Sequence, residues 1–361
     1  MSLIITALWF LVVLTPVICI HELGHFFFGR LFGVDVEVFS IGFGRPLVKW
    51  RDKKNTLWQI CIIPLGGYVK MLNNENAPAG KNCRDIFKTQ KTFNEKTLWK
   101  RALIVFGGPL ANYILTVTIL SLIYVFNGIP SYDTVISKIK INSPSYNLGL
   151  RVGDRVTDVN SVKVSNYHQL AFEMSLIKEN PVLLGVVRSG LHKVIEIKAD
   201  FTRTENISGQ TVKTAITGLH YKQSTSQRLN ILESLHIASK QTLLYTSMVL
   251  KTLARSLTDK QKPNLAGPIL MAKMSKHFGE KKGWIPILQF VALISLNIGL
   301  MNLLPIPTLD GGYLLFYLIE VINGRPMKER SQNFLLGTGF IILIMLSFTA
   351  FWNDFKLIRG G

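Results

Sequence analysis

Four stretches of this chain carry no charged residue: Ser2 to Ile20, Ala102 to Ile129, Trp284 to Leu309 and Phe334 to Asn353. A helix needs roughly 20 residues, rising about 1.5 Å each, to cross an apolar bilayer core of about 30 Å, so each stretch predicts a membrane span. Four spans put both ends of the chain on the same side. The third run ends in Asn302-Leu-Leu-Pro305-Ile-Pro307-Thr-Leu-Asp310-Gly311-Gly312. Two prolines at i, i+2 cannot continue a helix, and irregular backbone at membrane depth survives only where protein or a water-filled cavity satisfies it. Something polar is enclosed there.

Between the spans the period changes. Val34 to Phe39 and Trp58 to Ile63 read as strands, followed by turn-prone Pro64, Gly66 and Gly67 and the short run Tyr68 to Met71, a small sheet or hairpin at the inner membrane face. Asn73 to Cys83 reads as an irregular surface loop. After the second span come about 150 residues, enough for one ordinary domain and a connector. Strand-like runs there are Thr134 to Ile141, Arg155 to Val159, Val182 to Val187 and Val194 to Ile197, with a helix over Asn166 to Ile177. From Arg228 to Leu257, residues Ile231, Leu235, Ala238, Thr242, Tyr245, Val249 and Leu253 mark an amphipathic helix that lies on the membrane or packs against a span.

Composition fits this picture: of 361 residues 48% are hydrophobic and 17% charged. The net charge of +19 is spread over every segment outside the spans. With no nucleic-acid motif beside it, it points to lipid headgroups rather than nucleic acid. Arg30 to Arg101 is basic and feeds the second span through Lys96, Lys100 and Arg101, which places it in the cytoplasm and both termini outside. Asp133 to Lys282 is basic as well, but long domains cross largely regardless of charge. The first run has no basic n-region and no small-residue cleavage site, so it reads as a retained helix. Cys19, Cys61 and Cys83 are scattered and imply no disulfide framework.

Chemistry concentrates at the end of the first span. His21-Glu22-Leu23-Gly24-His25 sets two imidazoles one helical turn apart, suited to a shared Zn²⁺, with Glu22 beside them to act on water. The plainer reading is an interfacial helix end whose imidazoles snorkel into headgroups, but that would not require a carboxylate between two His at i, i+4. A catalytic zinc keeps three protein ligands and an open position. The extended motif is absent, since Phe28 and Leu31 occupy its Gly and His positions, and His168, His192, His220, His236 and His277 fall in the outer segment. Asp310, the only acid between Trp284 and Ile319, lies at the depth of His25 and is the candidate third ligand. Its alternative role is an N-cap for a helix opening at Gly311. Asn302 offers an amide to hold substrate backbone, or to glue helices together. Two His and a carboxylate also suit non-haem iron. A non-catalytic membrane adaptor and a metal carrier are the rival functions. A carrier would spread polar residues along a pathway, whereas here they gather at one depth.

These residues resemble the site-two protease family, more closely its bacterial branch of the regulator of sigma-E protease type. The resemblance rests on His21-Glu22-x-x-His25, Gly107-Gly108-Pro109-Leu-Ala-Asn112, Asn264-Leu-Ala-Gly267-Pro268 and Asn302-x-x-Pro305-x-Pro307-x-Leu309-Asp310-Gly311-Gly312. It implies an intramembrane zinc metalloprotease with one Zn²⁺ per chain on His21, His25 and Asp310, Glu22 as catalytic acid and base, and Asn302 holding substrate. It assigns Pro64 to Met71, with Gly66, Gly67 and Tyr68, to a membrane-reentrant β-loop whose free edge pairs with unwound substrate. The partners implied are single-span membrane proteins, an anti-sigma factor or a remnant signal peptide, in the bacterial inner membrane. Asn142-Ser-Pro144-Ser-x-x-x-Gly149-Leu150-x-x-Gly153-Asp154-x-Val156-x-x-Val159-Asn160 resembles a bacterial PDZ domain, present once and with Ser161 where Gly commonly follows. Such a domain would take a peptide or the trimmed end of a substrate, or serve only as a spacer.

The fold expected is therefore a polytopic α-helical membrane protein of about four spans, with a reentrant β-loop and one inserted extracytoplasmic PDZ-like α+β domain. Its expected parts are span one with the metal motif (1–28), a cytoplasmic-side loop (29–101) and span two (102–128). A periplasmic PDZ-like domain (129–217), an amphipathic connector (218–283) and span three with Leu-Asp-Gly (284–310) follow. A cytoplasmic-side loop (311–333) and span four with the C-terminal tail (334–361) complete it.

Overall fold

Uninterrupted apolar sequence without backbone partners elsewhere folds into helices, because only a helix satisfies every N–H and C=O within one segment. The computed structural model describes residues 2–72, 92–128, 267–359, and 132–258 apart from 142, 144, 147–148, 166, 176, 178–180, 199, 206–210, 217–218 and 224–228. The predicted loop Asn73 to Cys83 and residues Asn264 to Ala266 lie outside the described residues. Two compact units emerge, Met1–Ser121 with Leu235–Gly361, and Leu122–Ser234.

In the first unit, α1 (Ser2–Leu31), α2 (Leu98–Asn127), α6 (Ile285–Leu303) and the Glu329–Trp352 part of α8 (Glu329–Arg359) are long and apolar enough to cross a membrane. Ile4, Leu8 and Val12, one turn apart along α1, are all exposed, and so are Ile341, Met345 and Phe348 on α8. Lipid rather than water suits such stripes. Glycine sets how close the spans come: a Cβ on Gly24 would lie 2.1 Å from the Gly107 carbonyl oxygen, so α1 and α2 meet backbone to backbone.

β1 (Val36–Arg51) and β2 (Leu57–Met71) form a hairpin longer than predicted, with a further reversal ahead of the predicted one at Pro64 to Gly67. The chain turns at Asp52–Asn55, where Asp52 Oδ1 accepts the Lys54 and Thr56 amides at 2.9 Å each, an Asx-type turn. Pro64 to Gly67 folds β2 back, so that Val38–Ile41 lies parallel to Leu57–Ile60 on one side and antiparallel to Gly67–Lys70 on the other. Arg30 at the end of α1 bonds both Asp52 and Thr56, tying the turn to the helix that carries the metal motif. Thr15 Oγ1, six residues before His21, donates to the Pro64 carbonyl at 2.8 Å, so the bend reaches alongside the span.

After α6 the backbone runs irregularly through Leu304–Leu309, with Thr308 at φ +88°, before α7 (Asp310–Asn323). The predicted loop 311–333 thus holds a 14-residue helix, since Leu314, Leu315, Tyr317 and Leu318 supply good helix formers once the two glycines have passed. A helix absent from the sequence reading, α5 (Pro268–Gly279), is capped from afar. Asp354 of α8 accepts the amides of Gly267, Ile269 and Leu270 at 3.0 to 3.1 Å. The amphipathic helix is α4 (Ile231–Thr258), yet its buried stripe is Ser234, Ala238 and Thr242, while Leu232, Leu235, Leu243 and Leu250 are exposed. Small side chains permit the closer packing.

The second unit has a sheet of order β10-β3-β4-β6-β7, formed by Leu219–Gln223, Tyr132–Ile139, Arg155–Val159, Val182–Arg188 and Leu191–Ile197. The short β5 (Val162–Lys163) pairs with β4, and β8 (Asp200–Glu205) pairs with β9 (Thr211–Ile216). Ile136, Val156, Leu184, Val186 and Ile197, with Leu170 of α3 (Tyr167–Ser175), form its core. The expected end at residue 217 falls short, because β10 pairs with β3 and belongs to this sheet. Asn160 and Ser161 both have positive φ, +47° and +68°, in the two-residue turn from β4 to β5. That conformation is what makes Gly the common residue at position 161.

Candidate metal centre

His21 and His25 leave the same face of α1 with ring centroids 4.9 Å apart and planes at 86°. Their Nε2 atoms lie 3.3 Å apart. Asp310 brings Oδ2 to 3.2 Å from His21 Nε2 and 3.5 Å from His25 Nε2. Asp310 is free to do so because it does not cap its helix: Leu309 is the N-cap of α7, with no side-chain cap bond, and its carbonyl accepts the Gly312 amide. The potential ligand atoms of the three residues all fall within 4.8 Å of one another.

The donor set fits a cation. His25 Nδ1 lies 3.0 Å from the Ile104 carbonyl, so it carries the proton and turns the Nε2 lone pair toward Asp310. Asp310 Oδ2 is buried and accepts no hydrogen bond from the described residues. With its proton on Nδ1, His25 faces the Asp310 carboxylate at 3.5 Å with a lone pair, and the two repel unless positive charge lies between them. Room is provided by Gly108 of α2, where a Cβ would stand 2.3 Å from His25 Nε2 and 2.8 Å from His21 Cε1. Two imidazoles and one carboxylate with space beside them match the ligand count of a catalytic zinc.

Glu22 lies in the same wall. Its carboxylate is hydrogen-bonded by the Val69 amide, and it lines a cavity of about 360 Å³ with His25, Asp310, Val69, Lys70, Met71, Phe93, Ile104, Val105, Tyr313 and Tyr317. Asn302 places Nδ2 3.4 Å from His21 Nε2. Gly67 approaches Glu22 closely, since a Cβ on it would lie 3.5 Å from Glu22 Cγ and 2.7 Å from the Ser40 carbonyl oxygen. Gly66, at φ +116°, packs beneath Phe43. Tyr68 points elsewhere: its hydroxyl accepts from Gln59 at 3.2 Å and its ring stacks on Phe43. Val69, Lys70, Met71, Tyr313 and Tyr317 line the cavity without having been singled out. Only the run Tyr68 to Met71, as a strand of alternating faces, hinted at the first three.

Residues 9–346 match the sequence model described as Peptidase family M50. The chain belongs to this family. Among its relatives, a "Putative zinc metalloprotease" of Mesorhizobium japonicum is 32% identical over 358 residues, covering 96% of this chain and 97% of its own. One of Rhizobium meliloti, with the same description, is 31% identical over 363 residues (97% and 96%). One of Rickettsia conorii is 32% identical over 353 residues (96% and 97%). Family M50 is the site-two protease family, so this chain is a zinc metalloprotease, and with four helices among the described residues long and apolar enough to cross a membrane it is a multi-pass membrane protein.

Proposed function

We propose that this protease hydrolyses a peptide bond inside the bilayer, within the membrane segment of single-span proteins. The observation that carries the reading is the convergence of His21 and His25, within the membrane-crossing α1, with Asp310 at the start of α7, and Glu22 beside them on one cavity. His21, His25 and Asp310 would hold one zinc. When bound, it supplies a Lewis acid for the scissile carbonyl and acidifies water. Glu22 takes the proton from the attacking water and passes it to the leaving amine, a transfer that its place on the cavity wall permits. The Val69 amide orients the Glu22 carboxylate for that task. Asn302, beside His21, donates to substrate backbone.

A membrane helix offers its scissile bond only after local unwinding, and the unwound segment then needs new backbone partners. Gly67–Lys70 is bonded to Val38–Ile41 along one edge, and its other side faces Glu22. Substrate adding there as a strand would satisfy its backbone at the catalytic carboxylate. The Thr15–Pro64 bond supports re-entry of this β-loop into the membrane. Phe43, Leu47, Val48, Ile62 and Ile63 are exposed on the loop, which supports the same reading. The 122–234 unit reads as one PDZ-like domain on the periplasmic side of a bacterial inner membrane. Its edge strand β10 would take the trimmed end of an anti-sigma factor or a remnant signal peptide.

Purified protein in liposomes, given a single-span reporter, tests this. Wild type should cut within the apolar segment, Glu22→Gln should keep about one zinc per chain and cut at least about 100-fold more slowly, and Asp310→Ala should lose both zinc and cleavage. Zinc-loaded wild type that cuts only soluble peptides would overturn the intramembrane reading.

A further inference from the structure

We propose that Asn112 sets the tautomer of His21, its amide oxygen accepting the Nδ1 proton so that Nε2 is left as a lone pair for zinc. The inference rests on the zinc reading above. α2 runs beneath both imidazoles with residues one turn apart, Ile104, Gly108 and Asn112, on one face. The Ile104 carbonyl fixes His25 through Nδ1, and Gly108 leaves room for the rings. Asn112 meets His21 Nδ1 from its side chain at 3.3 Å.

A backbone carbonyl can only accept, but a side-chain amide can present either end. Asn112 turns Nδ2 toward His21 Nδ1 and leaves Oδ1 buried without a partner among the described residues. If His21 Nε2 is to bind metal, neutral imidazole must carry its proton on Nδ1, and two donors would then face each other. Rotating the amide by half a turn, an exchange of atoms almost invisible to the packing around it, places the orphaned oxygen on that proton. The polar partner of a metal-bound imidazole holds its ring and raises its basicity.

The residue is held for this task. Asn112 is fully buried, and its backbone carbonyl accepts both Thr116 Oγ1 and Ser295 Oγ at 2.9 Å, the latter from α6. The polar links between α2 and α6 here are Ser295 to the Asn112 carbonyl and Thr116 to the Ala292 carbonyl at 3.1 Å, which leaves the Asn112 side-chain amide for His21.

The test is zinc affinity of the solubilised full-length enzyme, by competition with a chromophoric chelator, with folding followed by thermal melting. Asn112→Leu, similar in shape but unable to accept, should weaken zinc binding about 10- to 100-fold. Asn112→Asp, which accepts and cannot donate, should bind zinc as tightly as wild type or more so. The cobalt-substituted Leu variant should show altered d–d bands, which a packing role would leave unchanged. Unaltered zinc affinity in folded Asn112→Leu overturns the proposal, as does an equal loss in folded Asn112→Asp. Should neither variant fold, ¹⁵N-histidine spectra of zinc-loaded wild type decide, with a proton on His21 Nδ1 expected and a bare Nδ1 fatal. Wild type that binds no zinc would instead sink the metal reading itself.

Discussion

Three carboxylates, Asp154 and Asp354 buried and Asp310 half-buried with its Oδ2 enclosed, differ entirely in their company. Asp154, 1% exposed in the 122–234 unit, takes two bonds from the Arg188 guanidinium at 2.7 Å and the Arg151 amide at 2.9 Å. Asp354, 2% exposed, takes three amides at the start of α5. Asp310 points an oxygen at two imidazole nitrogens and accepts no hydrogen bond with it from the described residues. A satisfied buried carboxylate holds the fold together, whereas an orphaned one, costly to keep, marks a place where a ligand completes the structure.

The sharpest way to break this comparison is Asp310→Ala. Zinc affinity should fall by more than about 100-fold, beyond the usual effect of an outer partner, and cleavage should drop to background. The metal-free protein should melt no lower than metal-free wild type, because Oδ2 supports nothing there; a drop in that melting point would make Asp310 a structural residue like the other two. Gly108→Val should give the same metal loss by filling the site with a side chain, read as zinc per chain. Next comes Glu22→Gln, expected to slow reporter cleavage by about 10²- to 10⁴-fold, the usual worth of a general base, while zinc stays bound.

Asp154→Ala should leave zinc and catalytic chemistry untouched and destabilise its unit by about 2 kcal/mol, seen as faster amide exchange in β4 and β6. The Arg188 guanidinium holds the Asp154 carboxyl below the usual carboxylate range. Its ionised form therefore adds stability above the unfolded Asp value of about 3.9, and that stability is lost as pH falls through the depressed folded value. Acid should loosen this unit below about pH 4, and Asp154→Asn should remove that dependence. The smallest effect belongs to Asp354→Ala, about 1 kcal/mol for a lost helix cap, localised to faster exchange at Ile269 and Leu270.

Much of the centre could be read along the chain because helical periodicity is local. His21 and His25 share a face whatever surrounds them, and an apolar run around Asp310 leaves few other sites for an acid. The strands and the reversal at Pro64 to Gly67 were legible, but the turn at Asp52 was not, and pairing along both edges of Val38–Ile41 depends on how the ribbon folds back. The 129–217 boundary missed β10 for the same reason: a five-residue strand earns its place through a partner some 80 residues away.

Sequence alone determined the spans, the paired imidazoles with Glu22 between them, and the candidate acid, because composition and period act over a few turns of chain. The tertiary structure alone decided that Asp310 faces the histidines instead of capping α7. It also decided that Val69 and not Tyr68 meets Glu22, and that Gly108 and Asn112 stand against the rings. Those outcomes depend on backbone approach and on which polar groups are left without partners, and neither exists until distant segments pack.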